Sequence, residues 1–151
     1  MKTFLLVIIS FLAFACKTEK NMTDAEMAKT EKTDDKSLKI VASLGDKVFE
    51  NDLYSITNIR MEENTMLIDI NYSGGCEKHV FKVIGLPLNS QSVQPIRQIQ
   101  LVHLANNDRC KKMISQTLEI DMKEIVVNNA VGGKSIFKID GWKDQLEYIA
   151  Q

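Results

Sequence analysis

Hydrophobic and polar side chains alternate along much of the chain beyond position 38. The clearest run extends from Met66 to Tyr72, where the polar Asp69 and Asn71 fall between apolar residues. A period of two is typical of a strand that buries one face and exposes the other to water. On this pattern we predict strands at residues 39–43, 48–49, 54–61, 66–72, 81–83, 97–104, 118–122, 135–139 and 146–149.

Residues that favour turns separate these strands. Glycine or asparagine, in places beside an acidic residue, occurs at positions 45–46, 63–64, 74–75, 106–108, 128–129 and 132–133. No stretch of ten or more residues repeats apolar side chains at helical spacing, so alternating helix and strand units are not expected. We therefore predict an all-β domain, an antiparallel β-sandwich, with a small barrel as the alternative. Pro87 and Pro95 bound a polar connection, where we expect the chain to cross between the sheets.

The first sixteen residues have a different pattern. Lys2 precedes an apolar run that ends at Phe14, and Ala15 and Cys16 follow. A basic start, a short apolar run and a small residue before the cut are features of a secretory signal peptide. Bacterial lipoprotein processing acylates a cysteine in the position directly after the cut. We therefore predict a signal peptide at residues 1–15 and lipidation of Cys16.

Two alternatives to lipidation stay open. Ala13 and Ala15 also satisfy the small-residue rule of plain secretion, and the bulky Phe14 departs from the usual lipoprotein pattern. An uncleaved membrane anchor is disfavoured, because the apolar run would be only about 18 Å long as a helix, against a hydrocarbon core of about 30 Å. The lipoprotein interpretation places the chain in a bacterial cell envelope, anchored to the outer membrane on its periplasmic or its outer face.

Charged and polar residues dominate the stretch after Cys16. Low hydrophobicity with mixed charge is typical of a flexible segment, so we predict a tether at residues 16–37 and one folded domain at residues 38–151. Removal of residues 1–15 takes away Lys2 and leaves a net charge of −2. The remaining basic residues are scattered, so the chain lacks the basic patch that a nucleic-acid partner requires.

Cys76 and Cys110 remain as a pair once Cys16 carries lipid. In an oxidising compartment a disulfide is the simplest outcome, and it would contribute about 3.5 to 4 kcal/mol to the stability of the domain. His79 and His103 lie close to these cysteines in sequence, and both share a strand face with apolar residues. Two thiolates and two imidazoles also suit Zn or Cu, so a metal site formed by these four residues is the alternative.

Further candidates are weaker. Asp69 and Asn71 share the wet face of one strand and are candidates for a polar surface site, although solvated faces normally carry such residues. Asp108 follows two asparagines, which suggests a calcium-binding turn without the EF-hand spacing, and we favour a capped β-turn instead. Trp142 and Tyr148 form either an exposed partner contact or, as we favour, part of the core.

The cysteine and histidine positions carry a resemblance. The run Gly74 to Phe81 has the form GGCxxHxF, and His103 to Cys110 has the form HxxxxDxC. This resembles a group of small, uncharacterised envelope lipoproteins of Gram-negative bacteria over about 50 residues of the chain. The resemblance implies a β domain with a cysteine pair, and it implies no named activity.

Common catalytic patterns do not occur. The sequence contains no GxSxG, HExxH, Walker loop or GxGxxG. An oxidised cysteine also supplies no thiolate for nucleophilic catalysis. We therefore predict no enzymatic activity and no cofactor. The predicted function is that of a lipid-anchored interaction or accessory module whose partners are the membrane and an envelope protein or small ligand, with metal binding as the alternative.

Overall fold

The computed structural model describes residues 37–88, 95–128 and 130–151, which all belong to one compact unit. These residues form nine strands. In this part of the chain no helix has the length and apolar character needed to cross a membrane. The predicted signal peptide, the lipidation at Cys16 and the tether up to residue 36 lie outside the described residues. The strands are β1 Leu38–Val41, β2 Ser43–Leu44, β3 Ser55–Glu62, β4 Thr65–Gly74, β5 Val80–Gly85, β6 Ile96–Leu104, β7 Lys112–Asp121, β8 Lys134–Ile139 and β9 Gln145–Ile149.

The strands form two sheets, as predicted for a sandwich. One sheet has four strands in the order β1-β7-β4-β3, and the other has five in the order β2-β5-β6-β8-β9. Both sheets are mixed, because β1 runs parallel to β7, β2 to β5, and β6 to β8. The antiparallel arrangement predicted from the sequence therefore holds for the other pairs only. Alternation reveals which face a side chain occupies and says nothing about the direction of the neighbouring strand.

The first two strands of the domain, β1 and β2, belong to different sheets. The N–H of Ala42 donates to the carbonyl of Asp121 in the four-stranded sheet, and the N–H of Gly45 donates to Gly85 in the five-stranded sheet. Ala42 is fully buried at the point where the chain passes from one sheet to the other. The single strand predicted at residues 39–43 is thus two short strands, which join both sheets along one side.

Apolar side chains from both inner faces form one core. Ile56, Ile59 and Met61 of β3 all reach it, because a bulge after Ile56 shifts the alternation by one residue. Trp142 packs against the core and Tyr148 is buried in it, which confirms their predicted packing role. The buried members of the core are Ala42, Met66, Ile68, Ile70, Tyr72, Phe81, Val83, Ile99, Leu101, Leu118, Ile120, Met122, Ile125, Phe137, Ile139, Tyr148 and Ala150.

Two sequence predictions are wrong, one about a connection and one about a strand. The connection that contains Pro87 and Pro95 joins β5 to β6, which are antiparallel neighbours in one sheet, so it does not cross between sheets. The chain crosses between the sheets after β1, β2, β4, β6 and β7. Residues 48–49 form no strand and belong to the crossing between β2 and β3. We call residues 47–53 of this connection the crossover segment.

Candidate functional site

The disulfide joins Cys76 and Cys110, which is the pairing that the sequence predicts. Cys76 follows the end of β4, and Cys110 precedes the start of β7. The register of these two strands places Gly74 opposite Lys112, so the residues just beyond them lie side by side. The Cα atoms of the two cysteines are 5.9 Å apart. The disulfide therefore closes one end of the β4–β7 pair.

Asp108 connects both sides of this disulfide. Its Oδ2 accepts hydrogen bonds from the backbone N–H groups of Cys76 at 2.9 Å and Glu77 at 3.0 Å, and its Oδ1 accepts one from Cys110 at 2.8 Å. The carboxylate has no exposed surface. The N–H groups of Glu77 and Cys110 stabilise its charged form and hold the pKa of Asp108 well below its usual value.

The predicted capped turn is therefore present, but the cap reaches further than expected. Asn106 and Asn107 both adopt positive φ, at 53° and 62°, and form the turn that precedes Asp108. Sequence reasoning treated Asp108 as a local cap. The HxxxxDxC spacing is the sequence signal that could have linked Asp108 to the cysteines. The contact with Cys76 itself depends on the fold, which brings positions 76 and 108 together.

The two histidines extend this network into the protein. Nε2 of His79 lies 3.1 Å from Oδ2 of Asp108, and its Nδ1 lies 2.7 Å from Nε2 of His103. Nδ1 of His103 lies 3.3 Å from the carbonyl oxygen of Asp52. The side chain of His79 is 3% exposed and His103 is 1% exposed, so both point inward as predicted. The result is a chain of three links from Asp108 through both imidazoles to Asp52.

The number of protons that this series of hydrogen bonds needs can be counted from its acceptors. An ionised Asp108 and the Asp52 carbonyl accept only, and the contact between the imidazoles needs one proton of its own. Two neutral imidazoles supply two N–H protons for three links. With both imidazoles neutral, one of the three links therefore lacks a proton.

Aromatic rings enclose the histidine pair. Phe81 stacks on His103 with ring centres 4.7 Å apart, and Tyr72 contacts both imidazoles with centres at 4.7 and 5.2 Å. Burial, followed by the positive charge of His79, lowers the pKa of His103 from its usual 6.5. The site thus disfavours the charged form of His103.

The structure does not present the four predicted metal ligands as one set. The sulfurs of Cys76 and Cys110 are bonded to each other, and His79 and His103 face each other and Asp108. In the described part of the chain, the group of three or more potential metal ligands whose ligand atoms all lie within 4.8 Å of one another consists of Cys76, Asp108 and Cys110. Metal binding by the two cysteines and two histidines would require reduction and rearrangement, and it stays a prediction.

The predicted polar surface pair lies in a hydrogen-bond network on the outer face of the four-stranded sheet. Asp69 accepts hydrogen bonds from Arg60 at 2.7 Å and Thr117 at 2.8 Å, and Asn71 accepts one from Ser115 at 2.8 Å. Burial alone raises the pKa of Asp69, but hydrogen bonds from Thr117 and neighbouring donors outweigh it and lower the value. The neighbours already use these side chains, so the network is a structural feature.

The sequence did not predict the position of the crossover segment, which lies at the surface of the domain. Because β8 pairs only with residues 96–99 of β6, the later part of β6 has a free edge, and the crossover segment binds there. The side chain of Asn51 bonds to the backbone of Leu101 and His103, and the N–H of Asp52 donates to the carbonyl of His103. The main chain of Phe49 exchanges two hydrogen bonds with the side chain of Gln100, at 2.9 and 2.7 Å.

This anchoring leaves apolar side chains of the segment facing water. Val48 is 66% exposed, Phe49 39% and Leu53 91%. Leu104, on the adjacent end of β6, is also exposed. A fixed segment that presents apolar side chains to solvent is typical of an interaction surface.

Comparison with known proteins supports the fold. No protein-family model and no curated protein matches the chain. A crystal structure of a NigD-like immunity protein from Bacteroides caccae shares 16% sequence identity with a TM-score of 0.61, over 76% of this chain and 65% of that chain. A protein from Parabacteroides distasonis, whose name calls it toxin-related, shares 13% identity with a TM-score of 0.50, over 76% of this chain and 62% of that chain. The present chain thus spans less than two thirds of either neighbour, and at these identities the likeness is one of fold.

Proposed function

We propose that the chain is a lipid-anchored cell-envelope protein whose β-sandwich acts as a non-catalytic interaction module. The observation that carries the interaction part is the crossover segment. It is held by at least six hydrogen bonds that involve β6 or Ala105, and yet it exposes Val48, Phe49 and Leu53. Because these hydrogen bonds already fix the segment, its side chains lose little conformational entropy when a partner binds, which favours affinity. The partner that fits is an envelope protein with an apolar surface.

The chemistry of the disulfide end supports a binding function rather than catalysis. Its sulfurs are oxidised, and three backbone N–H groups hold the carboxylate of Asp108. The imidazoles are buried and bonded to each other, so none of these groups is offered to a substrate. The names of the two structural neighbours state no catalysed reaction. An immunity function, as named for the Bacteroides caccae protein, is one form that the proposed interaction can take.

The anchoring part of the proposal is tested by mass and fractionation. Protein extracted from its native envelope should carry diacylglyceryl and acyl mass on Cys16, and Cys16→Ser should move to the soluble fraction. An unacylated Cys16, or a signal peptide that is retained, would contradict the anchoring part only.

The interaction part is tested by photo-crosslinking in the same envelope. A photoreactive residue at position 48 or 53 should give a discrete crosslinked product, because both positions are exposed on the crossover segment. The control is position 62 on the other sheet, where the side chain of Glu62 is 64% exposed. No product at positions 48 and 53, or the same product at all three positions, would contradict the proposed surface.

A further inference from the structure

An arginine lies inside the sandwich at one end of β6. Arg97 is opposite Phe137 of β8, and it precedes Ile99 by two residues, so it shares their inner face. Phe137 and Ile99 are fully buried, and Arg97 itself is only 8% exposed. Arginine is rarely buried to this extent unless it is paired. The fold therefore places a positive charge where an apolar residue would be expected.

Few groups of the protein compensate the buried positive charge of the Arg97 guanidinium. Its Nη1 donates to the carbonyl of Leu86 at 2.8 Å, while its buried Nε has no hydrogen-bond partner. None of the ion pairs among the described residues includes Arg97. Burial lowers the pKa of Arg97 from its ordinary value, because the charged form is poorly solvated there. A buried cation without a counter-charge is costly, which points to an anion supplied from outside the chain.

A shallow cleft of about 480 Å³, largely open to solvent, lies beside this arginine. Its volume falls within the range of about 300 to 1,000 Å³ that is typical of sites for small ligands. The residues that line it are Leu44, Gly45, Asp46, Gly85, Pro87 and Arg97. Gly85 makes room for the arginine, because a Cβ at this position would lie 2.9 Å from Cδ of Arg97 and from Cγ2 of Ile125.

We propose that this cleft binds a small monocarboxylate, whose carboxylate pairs with Arg97 and whose apolar body lies against Leu44 and Pro87. The planar guanidinium matches the geometry of a carboxylate with two parallel hydrogen bonds. Among the described residues of the lining, Arg97 carries a positive charge and Asp46 a negative one, so the cleft can compensate the charge of one carboxylate but not of two. This inference goes beyond the proposed interaction function and does not depend on it.

The experiment measures the thermal unfolding midpoint of the full chain in detergent, with sodium butyrate as the probe. Butyramide is the neutral control of the same shape, and sodium chloride controls for ionic strength. We expect butyrate alone to raise the midpoint, by about 4 to 8 °C at tenfold excess over its dissociation constant. Arg97→Met should lose this rise and be no less stable without ligand, because it removes a buried unpaired charge.

Two further variants keep the proposal testable. Arg60→Met removes an exposed arginine of the other sheet and should retain the full response to butyrate. Leu44→Trp fills the cleft from an exposed position and should abolish the response while Arg97 stays in place, which decides the matter if Arg97→Met does not fold. A response that survives both Arg97→Met and Leu44→Trp, or no response of the unmodified chain, would overturn the proposal. A response to inorganic phosphate but not to butyrate would overturn the carboxylate assignment.

Discussion

His79 and His103 form a direct contact in which two imidazole nitrogens lie 2.7 Å apart. His103 belongs to β6, and His79 lies one residue before the start of β5, the antiparallel neighbour of β6, in which Phe81 lies opposite His103. The contact joins the disulfide end, through Asp108, to the crossover segment, through Asp52. The histidine pair is therefore the link between the cross-linked end of the domain and its proposed interaction surface.

This relationship predicts how the stability of the domain depends on pH. The pKa of His103 is lower in the folded protein than its ordinary 6.5, because of burial and the charge on His79. The unfolded chain therefore takes up this proton first, and the free energy of unfolding should decrease as the pH falls below about 6.5. Each such proton contributes at most about 1.4 kcal/mol per pH unit. Urea unfolding at pH 7, 6 and 5 measures this decrease.

The variant His103→Gln separates this effect from that of Asp108. Its stability should depend less on pH between 7 and 5, since residue 103 no longer titrates. A second decrease should remain below pH 3.8, the ordinary pKa of Asp108, because the folded protein keeps this carboxylate ionised. Constant stability of the unmodified protein from pH 7 to pH 5 would contradict the role assigned to His103.

The disulfide should contribute strongly to stability. Cys76 and Cys110 are 34 residues apart in sequence, and closing a loop of this size in the unfolded chain corresponds to about 3.5 to 4 kcal/mol in the chain-entropy model. We expect the double variant Cys76→Ala, Cys110→Ala to lose about this much in urea unfolding. The unmodified protein in reductant is the matched control and should lose a similar amount. A loss below about 1 kcal/mol in both would show that the disulfide has little effect on folding.

The sequence was sufficient for the features that depend on alternation. A period of two indicates which residues face inward, and it correctly predicted that the side chains of His79 and His103 are buried. The same rule applies to Arg97, which is two residues before Ile99 in the same strand. Its inward orientation was therefore available from the sequence, although its lack of a counter-charge was not.

The sequence was not sufficient for features that depend on strand pairing. Asp108 binds Cys76 and Glu77 across more than 30 residues, and only the register of β4 and β7 brings them together. The sequence also could not predict that β1 pairs in parallel, because an edge strand with the same alternation can run in either direction. The crossover segment lacks a regular pattern, and its position follows from the free edge of β6.

The fit of Gly74 against the histidine pair predicts a steric effect. A Cβ at this position would lie 2.6 Å from Cε1 of His79 and 3.0 Å from Oδ2 of Asp108. Gly74→Ala should therefore push His79 from Asp108 and destabilise the domain by about 1 to 3 kcal/mol in urea unfolding. The neighbouring Ser73→Ala is the control, since Ser73 is exposed and should change stability little. Equal stability of the two variants would show that the His79 contact can move without cost.

The last prediction concerns the metal alternative. Zinc binds imidazole nitrogens at about 2.0 to 2.1 Å in a tetrahedral arrangement, which separates two ligand nitrogens by about 3.4 Å. The facing nitrogens of His79 and His103 are closer than this, and the sulfurs of Cys76 and Cys110 are bonded to each other. Protein prepared without reductant should therefore hold no stoichiometric Zn or Cu by native mass spectrometry, with His79→Ala as the comparison. One equivalent of metal that is lost in His79→Ala would favour the metal-binding function, and alkylation of Cys76 and Cys110 would then show whether free thiols accompany it.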